Sequence, residues 1–126
     1  MNIPKDLKFT KDHEWVKMDG KIAKVGITDF AQAEMGDIVY VELPDVDDDL
    51  EQGDTLCTIE STKAASDMYV PVSGKCVEVN ETLEDTPELV NEAPYEGAWI
   101  CKIEITDDEE LDDLLTAAEY EKLIKE

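Results

Sequence analysis

Few residues of this chain are equipped for chemistry, and one of them stands apart. In LCTIESTKAASDMYVPVSG, residues 56–74, two strand-like runs, Leu56–Ser61 and Asp67–Val72, flank a tip of small residues that carries Lys63. From Val25 to Gly74 there are twelve acidic residues and no other base. Gly53 lies ten residues before Lys63 and Gly74 eleven after it, which places the lysine near the midpoint of a quasi-symmetric hairpin. Ser61, Thr62, Ala64, Ala65 and Ser66 surround it, so the ammonium stands clear of bulky neighbours. On the residues alone two readings stand: an ordinary solubilising lysine, or a place where something is attached by another protein's active site. A Schiff-base role is disfavoured, because the sequence implies no apolar pocket around the amine.

The remaining candidates point away from catalysis. His13 is the only histidine, which leaves no Ser–His–Asp relay and no histidine-based metal cluster; the expectation is no metal and no catalytic residue. Cys57, Cys76 and Cys101 are far apart, form no C-x-x-C, and sit among strand-like apolar neighbours. They read as small buried residues of a reducing compartment. There is no glycine-rich phosphate loop.

Charge narrows the partners. Eleven lysines, no arginine and 33 acids give a formal charge of −22. Nucleic acid is excluded as a partner by repulsion between like charges, and anionic membrane surfaces are disfavoured for the same reason. Six lysines fall within the first 24 residues, while the acids crowd 42–54, 78–96 and 104–126. Such runs read as solvated faces, or as surfaces that steer the chain toward basic docking sites on larger enzymes. No apolar run approaches the ~20 residues that cross a bilayer. The first residues, MNIPKDLKFTKDHEW, lack a secretory apolar core and transit-peptide character, so the expected location is the cytoplasm.

The elements that position Lys63 are mostly strands. EWVKMDGKIAKVGIT predicts a hairpin around Asp19-Gly20. TDFAQAEMG predicts one short helix, capped by Thr28 and ended by Gly36. DIVYVEL alternates, with Ile38, Tyr40 and Glu42 on one face and Val39, Val41 and Leu43 on the other. GKCVEVN and WICKIEI predict two further strands, and 81–98 a loop with one helical turn. Thr106-x-x-Glu109 and Thr116-x-x-Glu119 each fit a capping box, which predicts two short helices. Their apolar residues are Leu111, Leu114 and Leu115, then Tyr120, Leu123 and Ile124. The expected fold is mainly β: a flattened barrel-sandwich hybrid of short antiparallel strands, with one internal and two C-terminal helices. A chain of 126 residues suits one domain, monomeric, with the β body over about 8–105 and the helices over about 107–125.

These residues carry a family resemblance. GDTLCTIESTKAASDMYVPVSGKCVEVN resembles the lipoyl/biotinyl carrier superfamily, in which a hairpin-tip lysine takes a cofactor through an amide bond. The finer resemblance is to the glycine cleavage system H-protein family. KDHEWVKMDGKIAKVGITDFAQAEMGDIVYVELP, ESTKAASDMYVPVSG, NETLEDTPELVNEAPYEGAWICKI and AEYEKL all look like that family, across nearly the whole chain. Thr62 departs from its more frequent valine, and PYEGAW varies its usual glycine-bearing turn. A biotin carrier would flank the lysine with methionines, where Thr62 and Ala64 stand here; lipoyl domains of 2-oxo-acid dehydrogenases usually carry Asp-Lys-Ala fused to an acyltransferase, and this chain has neither that triplet nor the room.

The resemblance implies a carrier rather than an enzyme. Lipoic acid joined to Lys63 would form an arm reaching about 12–15 Å at ~1.25 Å per bond. The arm would accept an aminomethyl group at the P protein, glycine decarboxylase. It would deliver the group at the T protein, aminomethyltransferase, and be reoxidised by the L protein, dihydrolipoamide dehydrogenase. Lipoate-attaching enzymes are further implied partners. By matching position, Glu14 and Asp67 would line a cleft that shelters the loaded arm, with Asp12 where the family often has serine or another polar residue. Two other roles are compatible with the same lysine or fold: a relay donating lipoyl groups to other carriers, and an unmodified interaction protein.

Overall fold

A computed structural model of the chain describes residues 3–125. The described residues form nine strands. They are β1 (Lys8–Phe9), β2 (Glu14–Asp19), β3 (Ile22–Ile27), β4 (Ile38–Glu42), β5 (Asp49–Leu50), β6 (Thr55–Ser61), β7 (Ala65–Tyr69), β8 (Gly74–Val79) and β9 (Cys101–Ile105). The helices are α1 (Asp29–Met35), α2 (Thr82–Asp85), α3 (Leu89–Glu92), a 3₁₀ helix (Asp108–Asp113) and α4 (Ala117–Ile124).

All strand pairs are antiparallel. Six strands form one sheet in the order β1-β2-β3-β9-β8-β5, and three form a second in the order β4-β6-β7. The predominantly β expectation holds, as two open sheets rather than a closed barrel. The apolar faces of the two sheets meet in one core, where Val16, Ala23, Val25 and Ile103 of the larger sheet join Val41, Ile59 and Met68 of the smaller. Cys57, Cys76 and Cys101 are buried and free in this core, as the sequence predicted.

A second cluster fastens the C-terminal helix to the sheet. Leu7, Phe9, Trp15, Ala117 and Tyr120 pack together, with the Phe9 and Tyr120 rings stacked at 4.8 Å. Removing each large side chain from water contributes roughly 1.5–3 kcal/mol. Trp15 lies across Gly26, its cross-strand partner: a Cβ on Gly26 would fall 2.7 Å from the indole nitrogen. That nitrogen donates to Pro94 O at 2.9 Å, so one tryptophan closes the gap over a glycine and ties down a distant loop.

Several local expectations needed correction. Asp19 pairs with Ile22, so the hairpin turn is Gly20-Lys21, one residue later than read. In β4 a bulge between Ile38 and Tyr40 breaks the strict alternation. Ile38 and Val41 both face the core while Val39 and Tyr40 face solvent, because an extra residue shifts the phase of the strand. The 81–98 segment makes two helical turns, α2 and α3, each pinned by one buried apolar residue, Leu83 and Val90. Thr28 and Gly36 bound α1 as expected, and Thr116 with Glu119 forms a complete capping box on α4. Thr106 does not cap: Asp107 accepts from Glu109 N instead, and the segment is 3₁₀. Leu115 bridges to Phe9, and Leu123 is exposed rather than packed on the body.

Candidate functional site

Lys63 is the centre of the three-residue loop 62–64 between β6 and β7. Ser61 holds this loop together. Its hydroxyl accepts from the backbone N–H of Lys63 and of Ala64, both at 3.2 Å, and donates to Ala64 O at 3.1 Å. Ser61 N donates to the same carbonyl at 2.8 Å, and Thr62 N donates to Asp37 O at 3.0 Å. The tip is therefore short, closed on itself, and tied to the turn after α1. Lys63 is exposed, and the ion pairs found among the described residues leave it aside.

The turn after α1 is built around that lysine. Gly36 has φ +83°, a left-handed conformation that suits glycine and ends the helix. A Cβ there would lie 2.9 Å from Lys63 Cε, so the missing side chain also leaves room for the lysine stem. Asn91, on α3, clamps this turn from outside. Its amide donates to Gly36 O and to Gln32 Oε1, both at 2.9 Å, and its carbonyl oxygen accepts from Ile38 N at 2.8 Å. Asn91 lay in the segment read as loop, and nothing in the sequence announced its role.

Beside the tip is a cleft of about 230 Å³. Ile27, Phe30, Ala31, Met35, Ile59 and Met68 supply its apolar wall. Asp12, Glu14, Glu34 and Asp67 supply carboxylates, and His13 and Ser66 complete it. The three carboxylates singled out by sequence thus share one cleft. Glu34, one turn of α1 beyond Phe30, is a fourth that was missed. Lys63 is not in the lining; it joins the cleft through Gly36, the residue after Met35.

Glu14 differs in kind from the others. It is 2% exposed, whereas Asp12 and Asp67 are exposed. Its Oε1 accepts from Thr10 Oγ1 at 2.7 Å and its Oε2 from Tyr69 N at 3.3 Å, so one carboxyl group spans the two sheets. Burial pushes its pKa up to about 7, against the pull of those two hydrogen bonds, with Asp12 adding to the rise. Asp67 accepts from Thr58 Oγ1 at 3.1 Å. Burial lowers the pKa of His13, and the negative charges of Asp12 and Glu34 partly oppose this.

Comparison with known proteins identifies the family. A family model described as Glycine cleavage H-protein matches residues 7–126. The chain belongs to the glycine cleavage H-protein family. It is 56% identical over 126 residues to a glycine cleavage system H protein of Staphylococcus haemolyticus (strain JCSC1435), covering 100% of both chains. The same identity and coverage hold for one of Staphylococcus epidermidis (strain ATCC 12228 / FDA PCI 1200). The crystal structure of a glycine cleavage system H protein from Mycobacterium marinum superposes with a TM-score of 0.87 at 34% identity, covering 98% of this chain and 100% of that one. As a family member this chain is a carrier subunit of the glycine cleavage system, not itself an enzyme. No helix among the described residues is long and apolar enough to cross a membrane.

The buried carboxyl group makes stability depend on pH. The folded pKa of Glu14, about 7, lies above its ordinary value of 4.5, so the folded chain holds this proton more tightly than the unfolded one. The contribution is complete below about 4.5 and is lost as pH rises through about 7. Glu14→Gln, neutral at every pH, should exceed the parent in urea unfolding near pH 8 by up to about 3 kcal/mol. The advantage should vanish near pH 4. Equal stability of the two proteins at both pH values would contradict the assignment.

Proposed function

We propose that Lys63 is the attachment point of a lipoyl group, and that the cleft over Glu14 and Asp67 receives the cargo end of the arm. The observation that carries this reading is the juxtaposition of an exposed, small-flanked lysine, whose stem lies against Gly36, with a part-apolar, part-acidic cleft lined by the adjoining Met35. The residues fit such a group. Gly36 leaves the lysine stem unhindered, the Ile27–Met35 wall suits a hydrocarbon chain, and the carboxylates suit a cationic end.

Lipoic acid, once attached, supplies a disulfide that takes up and releases an aminomethyl group and two electrons. The chain's own part is to present, shelter and not interfere. Ser61 and the Thr62–Asp37 hydrogen bond present the lysine on a rigid tip, which suits insertion into the active sites of the P, T and L proteins and of lipoate-attaching enzymes. Tethering keeps the cargo at high local concentration near each of them. Within the cleft, Glu14 and Asp67 attract the ammonium group, more strongly in partly dry surroundings than in bulk water. A cation beside Glu14 favours the ionised carboxylate, so seating the cargo near neutral pH displaces a proton from it. Asp12 sits at the open side of the cleft, where solvent weakens its pull.

The cysteines bear on the same chemistry. A free thiolate close to a carrier disulfide would exchange with it. Cys57 lies beneath the cleft against Met68, with Sγ 3.9 Å from Sδ, and burial pushes its pKa up to about 12. It stays a protonated, inaccessible thiol, which protects the arm.

Two outcomes test the assignment. Lys63→Arg keeps the positive charge but offers no acylatable amine, so it should fold normally and support no glycine–bicarbonate exchange with the P protein. Exchange at the parent rate would place the attachment elsewhere. Glu14→Gln together with Asp67→Asn should leave attachment nearly unchanged but hasten formaldehyde release from loaded protein several-fold. Release at the parent rate in the double variant would remove the cleft's sheltering role.

A further inference from the structure

A buried chain of hydrogen bonds links the C-terminal helix to the cleft. Thr28, fully buried at the start of α1, accepts from Ala31 N at 3.2 Å as the helix cap. Its hydroxyl also lies 2.7 Å from the Tyr120 hydroxyl, which in turn lies 2.8 Å from His13 Nδ1. The direction of the chain follows from counting hydrogens. A buried hydroxyl hydrogen needs an acceptor, and the only acceptor that Thr28 Oγ1 meets among the described residues is the Tyr120 oxygen. Thr28 therefore donates to Tyr120, and Tyr120 donates to His13 Nδ1. An Nδ1 that accepts leaves the ring proton on Nε2 and the imidazole neutral.

We propose that Tyr120 is a positioning residue for the cleft: its hydroxyl holds His13 as the neutral Nε2–H tautomer, so the cleft wall stays free of a competing cation. The charged groups around His13 all work against this. Asp12 and Glu14 flank it in sequence, Glu34 faces it from α1, and Asp67 lines the same cleft from β7. The charges of Asp12 and Glu34 by themselves would make an unconstrained histidine more basic. An imidazolium must donate from Nδ1, which would leave either the Tyr120 or the Thr28 hydroxyl hydrogen without an acceptor. Desolvation of the ring acts in the same direction as this penalty. The ring is held in place besides, by Phe30 at 4.8 Å and by a left-handed backbone at φ +70°.

The consequence for the cargo rests on the proposed use of the cleft. An imidazolium at His13 would compete with the cationic cargo for Glu14 and Asp67. A neutral ring leaves those carboxylates to the cargo and adds no second positive charge to the cleft wall. The tautomer itself does not depend on that reading.

His13 is the only histidine, so its ring nitrogens can be assigned in the unmodified chain without ambiguity. The test is ¹⁵N NMR of the imidazole across a pH titration. The parent should show one dominant Nε2–H tautomer at neutral pH. Tyr120→Phe keeps the ring that stacks on Phe9 but removes the hydroxyl. It should mix the tautomers and raise the His13 midpoint by about half to one pH unit, the equivalent of one hydrogen bond. Thr28→Ser, which keeps both cap and donor, should retain the parent pattern. An Nδ1–H tautomer in the parent, or an unchanged midpoint and tautomer in folded Tyr120→Phe, would overturn the proposal. The parent spectrum decides the tautomer even if the variant fails to fold. Because no arm is attached, the result is separate from whether the cleft receives one.

Discussion

A carboxyl group buried at the seam between two sheets is the constraint around which the site is arranged. Glu14 opens β2 in the larger sheet and accepts a backbone hydrogen bond from Tyr69 at the end of β7 in the smaller. Leaving water raises the energy of its charged form, and the two hydrogen bonds offset only part of that. The surrounding loop is shaped to hold it. Thr10 bonds its carboxyl group and accepts from its backbone N–H at 3.1 Å, and His13 adopts a left-handed conformation that closes the turn. Under the proposed use of the cleft, a cationic cargo in front of this carboxylate would offset part of that cost by favouring its charged form.

Rigidity in this protein is local and purposeful. Under the proposed attachment, Lys63 needs exposure to other proteins on a tip that stays near the cleft. Both needs are met by backbone hydrogen bonds to a turn that Asn91 fixes from α3. The C-terminal helix serves the opposite wall, since Tyr120 anchors in the Phe9–Trp15 cluster and reaches His13 and Thr28 with its hydroxyl. Elements remote in sequence therefore converge on one cleft.

Much of this was legible in the sequence. The Lys63 tip, the bounds of α1, the buried cysteines and the Thr116 capping box all follow from short-range rules of residue type and spacing. Glu14, Asp67 and Asp12 came from family resemblance, because three acids among 33 carry no local mark. What was missed depends on tertiary contact. The bulge in β4 shifts burial without altering the apolar pattern. Thr106 has the capping-box sequence, but Asp107 is placed to accept instead. Asn91 and Tyr120 look like ordinary loop and helix residues until the fold brings them to Gly36 and His13.

The central claim is that one lysine among eleven is the site of lipoyl attachment. Mass spectrometry after incubation with lipoate, ATP and a lipoate-attaching enzyme tests it most directly, as intact mass followed by peptide mapping. The account predicts a single lipoyl increment confined to the peptide containing Lys63. An increment on any other lysine, or none on folded protein under conditions that modify a known lipoyl carrier, would contradict it.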